Sequence, residues 1–351
     1  MIALRGRLRD LLPAAFLAVV AFIQSGCVSS ILADIAITAP NQQHVPRTVS
    51  DPAYAARFDS VCAQTWRLPV GPLPAELAMS VVEPGNYGFY YKLELKESKG
   101  WKWLEPDFAW TLPPKPLPAK GTLLLLHGWG DEKENMMHWA LCLAEDGWRC
   151  VLVDLRGHGR STGSRIGFGA FEVGDLREVL DEIQRRQLAG DKVGIVGVSY
   201  GASMGLLLAA QDPRVGAIVA LEPFSNAAHA VVEFAHGAAP QRAAGISEKD
   251  FATAVKLASE RGGFSWEQGD VLAAMEHVMV PVFFIHGAKD TWISPENSRV
   301  LQAHAHGPSR LLILPDDDHV FLSMRLGDVV VSDVRGWFDR YLGPGTAAVA
   351  P

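Results

Sequence analysis

The stretch Val193-Gly194-Ile195-Val196-Gly197-Val198-Ser199-Tyr200-Gly201 decides how the rest of the chain reads. Val193–Val198 is a short, unbroken apolar run, the pattern of a strand buried on both faces of a sheet. Gly197-Val198-Ser199-Tyr200-Gly201 closes that run and opens a helical stretch, Ala202–Ala210. A sharp strand-to-helix turn pushes the serine hydroxyl out at the end of the sheet. Such a turn is crowded and needs small neighbours, which Gly197 and Gly201 supply. Ala202 and Gly205 continue the theme where the helix must pass close to the sheet.

Working outward, the same rhythm recurs. Thr122–Leu126, Cys150–Val153, Ala217–Leu221, Val282–Ile285 and Leu311–Leu314 are further short apolar runs. Stretches of helical length, among them Glu134–Asp146 and Glu172–Gln187, lie between most of them. Alternating strand and helix predicts a mostly parallel sheet with helices on both faces. The interval from about Pro223 to Met279 breaks the alternation. It is Ala-rich, helical in pattern and too long for a plain connection, so it reads as an inserted cap at about 223–279. Upstream, Leu77–Pro84 and Tyr87–Lys96 suggest two strands joined as a hairpin by Pro84-Gly85-Asn86. Residues 28–74 show no sustained period and read as a tether leading into a packed extension.

Composition agrees with a folded enzyme. The 351 residues are 48% hydrophobic and 20% charged, which excludes collagen, coiled coil and disorder as the main architecture. A formal net charge of −7 with no Lys/Arg block argues against nucleic acid as a partner, because phosphate neutralisation needs clustered positive charge.

The first residues read as an address rather than as part of the fold. Arg5, Arg7 and Arg9 precede the apolar run Leu11–Ile23, and Gln24-Ser25-Gly26-Cys27 follows. A basic start, a short apolar core and a small-residue exit describe a signal for export. Small residues directly before a cysteine resemble a bacterial lipoprotein cleavage site, which makes Cys27 the lipidation candidate and the cell envelope the expected location. The expected division is therefore 1–26 signal peptide, 27–74 tether and extension, and 75–345 catalytic domain. Cleavage takes away three arginines against one aspartate, so the charge deepens by two to −9. Cys62, Cys142 and Cys150 remain, an odd number that spells out no disulfide framework.

A serine hydroxyl is a weak nucleophile and needs a base, itself oriented by an acid. Val282–Ile285 runs into His286-Gly287-Ala288-Lys289-Asp290, which places Asp290 at a strand's carboxyl end. Leu311–Leu314 runs into Pro315-Asp316-Asp317-Asp318-His319, which places His319 just beyond the last strand. Ser199, Asp290 and His319 then share the edge at which open α/β sheets bind ligands.

At this point the chain, over about Gly121 to Leu342, resembles the α/β-hydrolase superfamily. His127-Gly128-Trp129-Gly130 resembles its oxyanion segment, and Asp154-Leu155-Arg156-Gly157-His158-Gly159-Arg160-Ser161 the fourth-strand loop of its monoacylglycerol-lipase-like and serine-aminopeptidase-like members. His286–Pro295 resembles the acid loop. The resemblance implies Ser199 as nucleophile, Asp290 as acid, His319 as base, and the backbone N–H groups of Trp129 and Tyr200 as oxyanion donors. Many members carry Gly just before the catalytic His, where this chain has Asp318.

Each assignment has a plainer competitor. Asp316, Asp317 and Asp318 are alternative acids, but residues so close in sequence rarely point back at the ring. His127 and His158 read as loop-bracing residues, and Asp131, Glu132 and Glu134 as acids favouring a helix start rather than a metal cluster. His304 and His306 read as a surface segment. Trp101, Trp103 and Trp110 read as cover for one edge of the core. Nothing indicates a metal or organic cofactor. The reading is a serine hydrolase cleaving carboxylic esters, with a small-molecule ester as substrate. The alternatives are a small-substrate peptidase or amidase, or a non-catalytic envelope lipoprotein retaining the fold.

Overall fold

The structure is a computed structural model that describes residues 25–98, 101–112, 116–326 and 329–345. The apolar run and basic start of the expected signal peptide lie outside the described residues, as does the side chain of Cys27.

Among the described residues ten strands form two sheets: β1 (Gln64–Val70), β2 (Ala75–Val82), β3 (Tyr90–Ser98), β4 (Trp101–Ala109), β5 (Gly121–Leu126), β6 (Trp148–Val153), β7 (Val193–Val198), β8 (Val215–Leu221), β9 (Val282–Gly287) and β10 (Ser309–Leu314). Eight of them make one sheet in the order β1-β2-β6-β5-β7-β8-β9-β10. From β6 to β10 every neighbouring pair is parallel, while β1 and β2 are antiparallel additions at one side. All six apolar runs are strands of this sheet. Their side chains alternate between its two faces: Leu123 and Leu125 face one apolar cluster, Leu124 and Leu126 the other.

Helices cover both faces. Met137–Glu145 and Val329–Leu342 lie on one side, while Glu172–Arg185 and Tyr200–Ala209 lie on the other. The Glu172–Arg185 helix shows how the sequence directs this. Val173, Leu176, Val179, Leu180 and Ile183 recur at helical spacing and are buried, whereas Arg177, Asp181 and Arg185 are exposed. Its buried Asp175 accepts two hydrogen bonds from the guanidinium of Arg156, at 2.8 and 2.6 Å, so a charge pair links helix to loop inside the core.

The chain passes from β5 to β6 on one side and then crosses to β7 on the other. That reversal opens a crevice beyond the carboxyl ends of β5 and β7. It is where the His127–Gly130 segment and Ser199 emerge.

Three expectations need correction. The Leu77–Pro84 and Tyr87–Lys96 runs are not a hairpin: β2 pairs with β1 and β6, and β3 pairs with β4 in a separate sheet. Five successive residues from Ala78 to Val82 are buried, so β2 needs neighbours on both edges. β3 alternates Tyr91 and Leu93 with the charged Lys92 and Glu94 and suits a two-stranded arm. The strand β1 lies inside 28–74, where no period was legible. Nor does that segment begin as a tether. The Ser25–Ile37 helix packs Ala33 and Ile37 against Ala254 and Ala258 of the Glu248–Gly262 helix, and Val28 and Ser29 are buried. Trp110 stacks on Phe108 and touches Phe58, as cover for the core; the side chains of Trp101 and Trp103 lie outside the described residues.

Replacing Arg156 with Leu leaves Asp175 buried without its partner. The expected cost is about 3–5 kcal/mol, the range for breaking a buried ion pair from one side, and urea denaturation measures it.

Candidate active site

The elbow is as tight as its composition requires. Ser199 has φ +48° and ψ −110°, a conformation that L residues rarely adopt. A Cβ on Gly197 would stand 2.5 Å from the Cα of Ala202, and one on Gly201 would stand 2.4 Å from the carbonyl oxygen of Leu126. Any side chain at either position would force strand and helix apart. The amide of Ser199 donates to the Leu221 carbonyl on β8 at 2.7 Å, and its own carbonyl accepts from Ser203, which ties the strained residue into the sheet and the helix.

The Ser199 hydroxyl lies against an imidazole. His319 Nε2 lies 3.1 Å from Ser199 Oγ, and His319 Nδ1 lies 2.6 Å from Asp290 Oδ2. Asp290 is buried and held on every side. Its Oδ1 accepts from the amides of Trp292 and Ile293 at 2.8 and 2.9 Å, and its Oδ2 also lies 3.1 Å from His286 Nε2. His286 is fixed in turn: its Nδ1 is 2.7 Å from Ser298 Oγ and its Nε2 is 2.9 Å from the Ile293 carbonyl. The network requires a proton on Nε2, so His286 donates to Asp290. Burial alone would raise the Asp290 pKa. The hydrogen bonds from His286 and His319 and the nearby histidine charge hold it well below the usual carboxylate range.

The competing acids are occupied elsewhere. Asp316 accepts from Lys289 at 2.7 Å and Asp317 from Arg325 at 2.6 Å. Asp318 caps the short His319–Ser323 helix by accepting from the amides of Val320 and Phe321. An aspartate thus starts the helix that carries His319, a role a glycine at that position would leave to solvent.

Gly128 lies against Ser199, since a Cβ on it would be 3.8 Å from Ser199 Cβ. That brings the Trp129 amide to the elbow, beside the amide of Tyr200 in the first helical turn. Neither amide has an acceptor among the described residues. Trp129 also packs edge-on against Phe234 of the Ala227–Ala238 helix, Phe234 against Trp292, and Trp292 lies 5.2 Å from the His319 ring. The cap is fastened to the acid loop: Glu233 accepts from the Ser294 amide at 2.6 Å and from Asn297 Nδ2 at 3.1 Å.

The bracing histidines do what their positions suggest. His127 Nε2 accepts from the Leu155 amide at 3.0 Å, and His158 Nδ1 lies 2.8 Å from the Arg156 carbonyl. His304 is exposed and bonds back to its own helix. The acids after Gly130 depart from the expected helix-start role. Glu132 is buried and accepts from the amide and hydroxyl of Thr48, and Glu134 pairs with Lys133 and with Arg160. Arg160 reaches on to Asp59. The reason is the N-terminal extension, which covers this loop and gives Glu132 and Glu134 internal partners. Asn41 from the same extension donates to the carbonyls of Gly159 and Ser161 and braces the neighbouring loop.

One residue escaped the sequence reading altogether. Glu222 follows the last residue of β8, is fully buried, has φ +54°, and neither carboxyl oxygen has a hydrogen-bond partner among the described residues. Its Oε2 lies 3.7 Å from His319 Nδ1. The signal was available, because a glutamate ends an apolar run whose carboxyl end lies at the site edge. Glu222, Asp290 and His319 are the one trio among the described residues whose ligand atoms lie close enough to hold a cation. His319 Nδ1 and Asp290 Oδ2 are engaged with each other at 2.6 Å. Among the described residues Cys62, Cys142 and Cys150 are free thiols.

Burial pushes the Glu222 carboxyl well above the ordinary range, and the charges of Asp290, Asp318 and Asp317 push it the same way. A raised folded-state pKa means the folded protein binds this proton more tightly than the unfolded chain, so stability falls as pH rises above the unfolded value of about 4.3. Glu222→Gln is expected to raise the thermal midpoint at pH 7–8, with the gain vanishing near pH 4. Calorimetry at the two pH values checks it.

Comparison with known proteins agrees with this architecture. A family model described as the alpha/beta hydrolase fold matches residues 121–239. The uncharacterized protein YqkD of Bacillus subtilis is 27% identical over 211 residues, 58% of this chain and 66% of that protein. Dipeptidyl-peptidase 5 of Porphyromonas gingivalis is 25% identical over 270 residues, 69% of this chain but 36% of the peptidase. Among solved structures, the Pyrococcus furiosus esterase Pf2001 superposes with a TM-score of 0.57 at 17% identity, covering 82% of this chain and 94% of the esterase. The chain has the α/β-hydrolase fold.

Proposed function

We propose, with the α/β-hydrolase fold as premise, that this chain is a serine hydrolase cleaving carboxylic esters through an acyl-enzyme. The observation that carries the reading is the continuous chain Ser199 Oγ to His319 Nε2 and His319 Nδ1 to Asp290, assembled from the ends of three strands. His319 takes the Ser199 proton as the oxygen attacks the ester carbonyl. Asp290 keeps the proton on Nδ1, so that Nε2 is the free base, and stabilises the imidazolium that forms. The carbonyl oxygen becomes an oxyanion, for which the amides of Trp129 and Tyr200 are the donors. Collapse of the tetrahedral intermediate breaks the C–O bond, and His319 returns its proton to the leaving alcohol. Water then repeats the sequence on the acyl-serine, with His319 as base again.

Amide cleavage uses the same machinery, and the similarity to a dipeptidyl-peptidase supports a small-substrate peptidase as the second reading. Ser199→Ala tests the chemistry. It is expected to abolish covalent labelling by a fluorophosphonate and to lower ester turnover by several orders of magnitude with folding intact. A paired panel of esters and matched amides, with that variant as blank, separates the two readings. Unchanged labelling in the variant overturns both.

We also propose export to the bacterial envelope with a lipid anchor at Cys27. The support is the basic start, the apolar run Leu11–Ile23 and Ser25-Gly26-Cys27. Each buried methylene of an acyl chain contributes about 0.8 kcal/mol, and two chains suffice for stable anchoring. Mass spectrometry of the mature N-terminus is expected to find an acylated Cys27, and Cys27→Ser to release the protein or stall its processing. A retained Met1–Gly26 segment or an unmodified Cys27 overturns the anchor.

A further inference from the structure

A fully buried carboxyl with no partner is an expensive thing to keep, since an unpaired polar group away from water costs free energy whether it is ionised or not. Glu222 is such a group, and its placement is not that of a side chain stranded in the core. Its amide donates to the Ile285 carbonyl at 2.9 Å, and the residue before it accepts the amide of Ser199, so its backbone is part of the scaffold that sets the nucleophile. The loop that follows is fixed as well. Ser203 Oγ accepts from the Phe224 amide at 2.9 Å and lies 3.1 Å from the Phe224 carbonyl, which joins the Tyr200–Ala209 helix to the turn after β8. Within that rigid frame a left-handed backbone at Glu222 points the carboxyl at the imidazole.

We propose that Glu222 is a positioning residue for His319, a second carboxyl that addresses the Nδ1 side of the ring together with Asp290 and shares in holding the imidazolium formed when Ser199 gives up its proton. The proposal rests on the serine-hydrolase reading. Asp290 Oδ2 occupies the direct hydrogen bond at 2.6 Å, and Glu222 Oε2 stands at 3.7 Å, outside hydrogen-bond range but within a small torsional adjustment of it. No proton passes to Glu222 in the cycle. The Ser199 proton moves to Nε2 and later to the leaving group, while Nδ1 keeps its own.

The groups facing Glu222 come from two segments: Asp290 from the loop after β9, and Asp317, Asp318 and His319 from the segment after β10. Asp317 is paired with Arg325 and Asp318 caps a helix, so neither is free to turn to the ring. With Asp290 negative, a second negative charge beside it is disfavoured and Glu222 keeps its proton. Converting Asp290 to Asn removes that repulsion and empties the direct position, which Glu222 is then placed to take.

The test uses the full chain and follows the rate constant for fluorophosphonate labelling of Ser199 from pH 5 to pH 10. Wild type, Asp290→Asn, Glu222→Gln and the double variant are compared, with thermal unfolding to verify that each is folded. Glu222→Gln alone is expected to slow labelling a few-fold only toward pH 10, where the Glu222 carboxyl gives up its proton. The double variant is expected to label at least tenfold more slowly than Asp290→Asn. The ratio of those two rates is expected to grow with pH as Glu222 ionises, a dependence that lost packing alone would not produce. Equal rates for Asp290→Asn and the double variant across the range overturn the proposal, even with wild-type Ser199 labelled normally. Absence of labelling at Ser199 in wild type removes the serine-hydrolase reading and the proposal with it. Should Glu222→Gln fail to fold, Glu222→Met, of similar volume and uncharged, takes its place in both comparisons.

Discussion

The turn at Ser199 is the constraint on which the remaining site geometry depends. A left-handed serine between a strand and a helix costs on the order of 1–3 kcal/mol, and it persists only where its surroundings over-determine it. Here β8 holds the Ser199 amide, the helix holds its carbonyl, and two glycines let strand, helix and the end of β5 approach to contact. The hydroxyl therefore stands clear of the sheet, at the crevice where the chain reverses direction between β5 and β7.

Every other functional group is delivered to that point by the parallel sheet. β5 delivers the Trp129 amide, β8 delivers Glu222, β9 delivers Asp290, and the segment after β10 delivers His319. Because the strands are parallel, their carboxyl ends share one edge, and residues 120 apart in sequence meet at 3.1 Å. Loops alone would not hold such distances. The acid loop is kept in place by His286 and Ser298 behind Asp290 and by Glu233 from the cap side, which accepts from Ser294 and Asn297. The N-terminal extension braces the loops on the far side through Asn41 and Thr48. Its helix lies along the cap, where Arg261 donates to Ser30 and Asp34 and Ser29 bonds to Asp250. Cap and extension thus form one buttress around the crevice.

The site also shows how position, rather than residue type, sets the behaviour of a carboxyl group. Asp290 and Glu222 are both buried and both face His319. One accepts hydrogen bonds from two amides and two rings and is held ionised; the other accepts none and holds its proton. Asp316, Asp317 and Asp318 lie closest to His319 in sequence and bond to none of its ring atoms.

The strand runs, the elbow and the order of serine, aspartate and histidine were legible in the residues themselves, because each is local. A two-face-buried strand must be apolar throughout, a crowded turn must use glycine, and a group at a strand's carboxyl end must emerge at the ligand-binding edge of a parallel sheet. That Asp290 and not its competitors meets the His319 ring agrees with a local argument, since neighbours of a histidine rarely bend back to its ring. What only tertiary structure decided is which distant pieces meet. β1 alternates half-buried Trp66 and Leu68 with exposed Arg67 and Pro69 and pairs with β2 across the short turn 71–74, a local pairing that enters the large sheet only because β2 also meets β6. β2 turned from a hairpin partner into an inner strand because its second edge is filled by β6, some seventy residues on in the chain. Glu132 and Glu134 became internal, one bonded to Thr48 and the other paired with Lys133 and Arg160, because residues 41–59 fold over them. Glu222 drew no attention as one charge at the end of an apolar run. Its meaning depends on an imidazole brought to 3.7 Å by a strand two places away in the sheet, and burial and partner distance are properties of the folded chain alone.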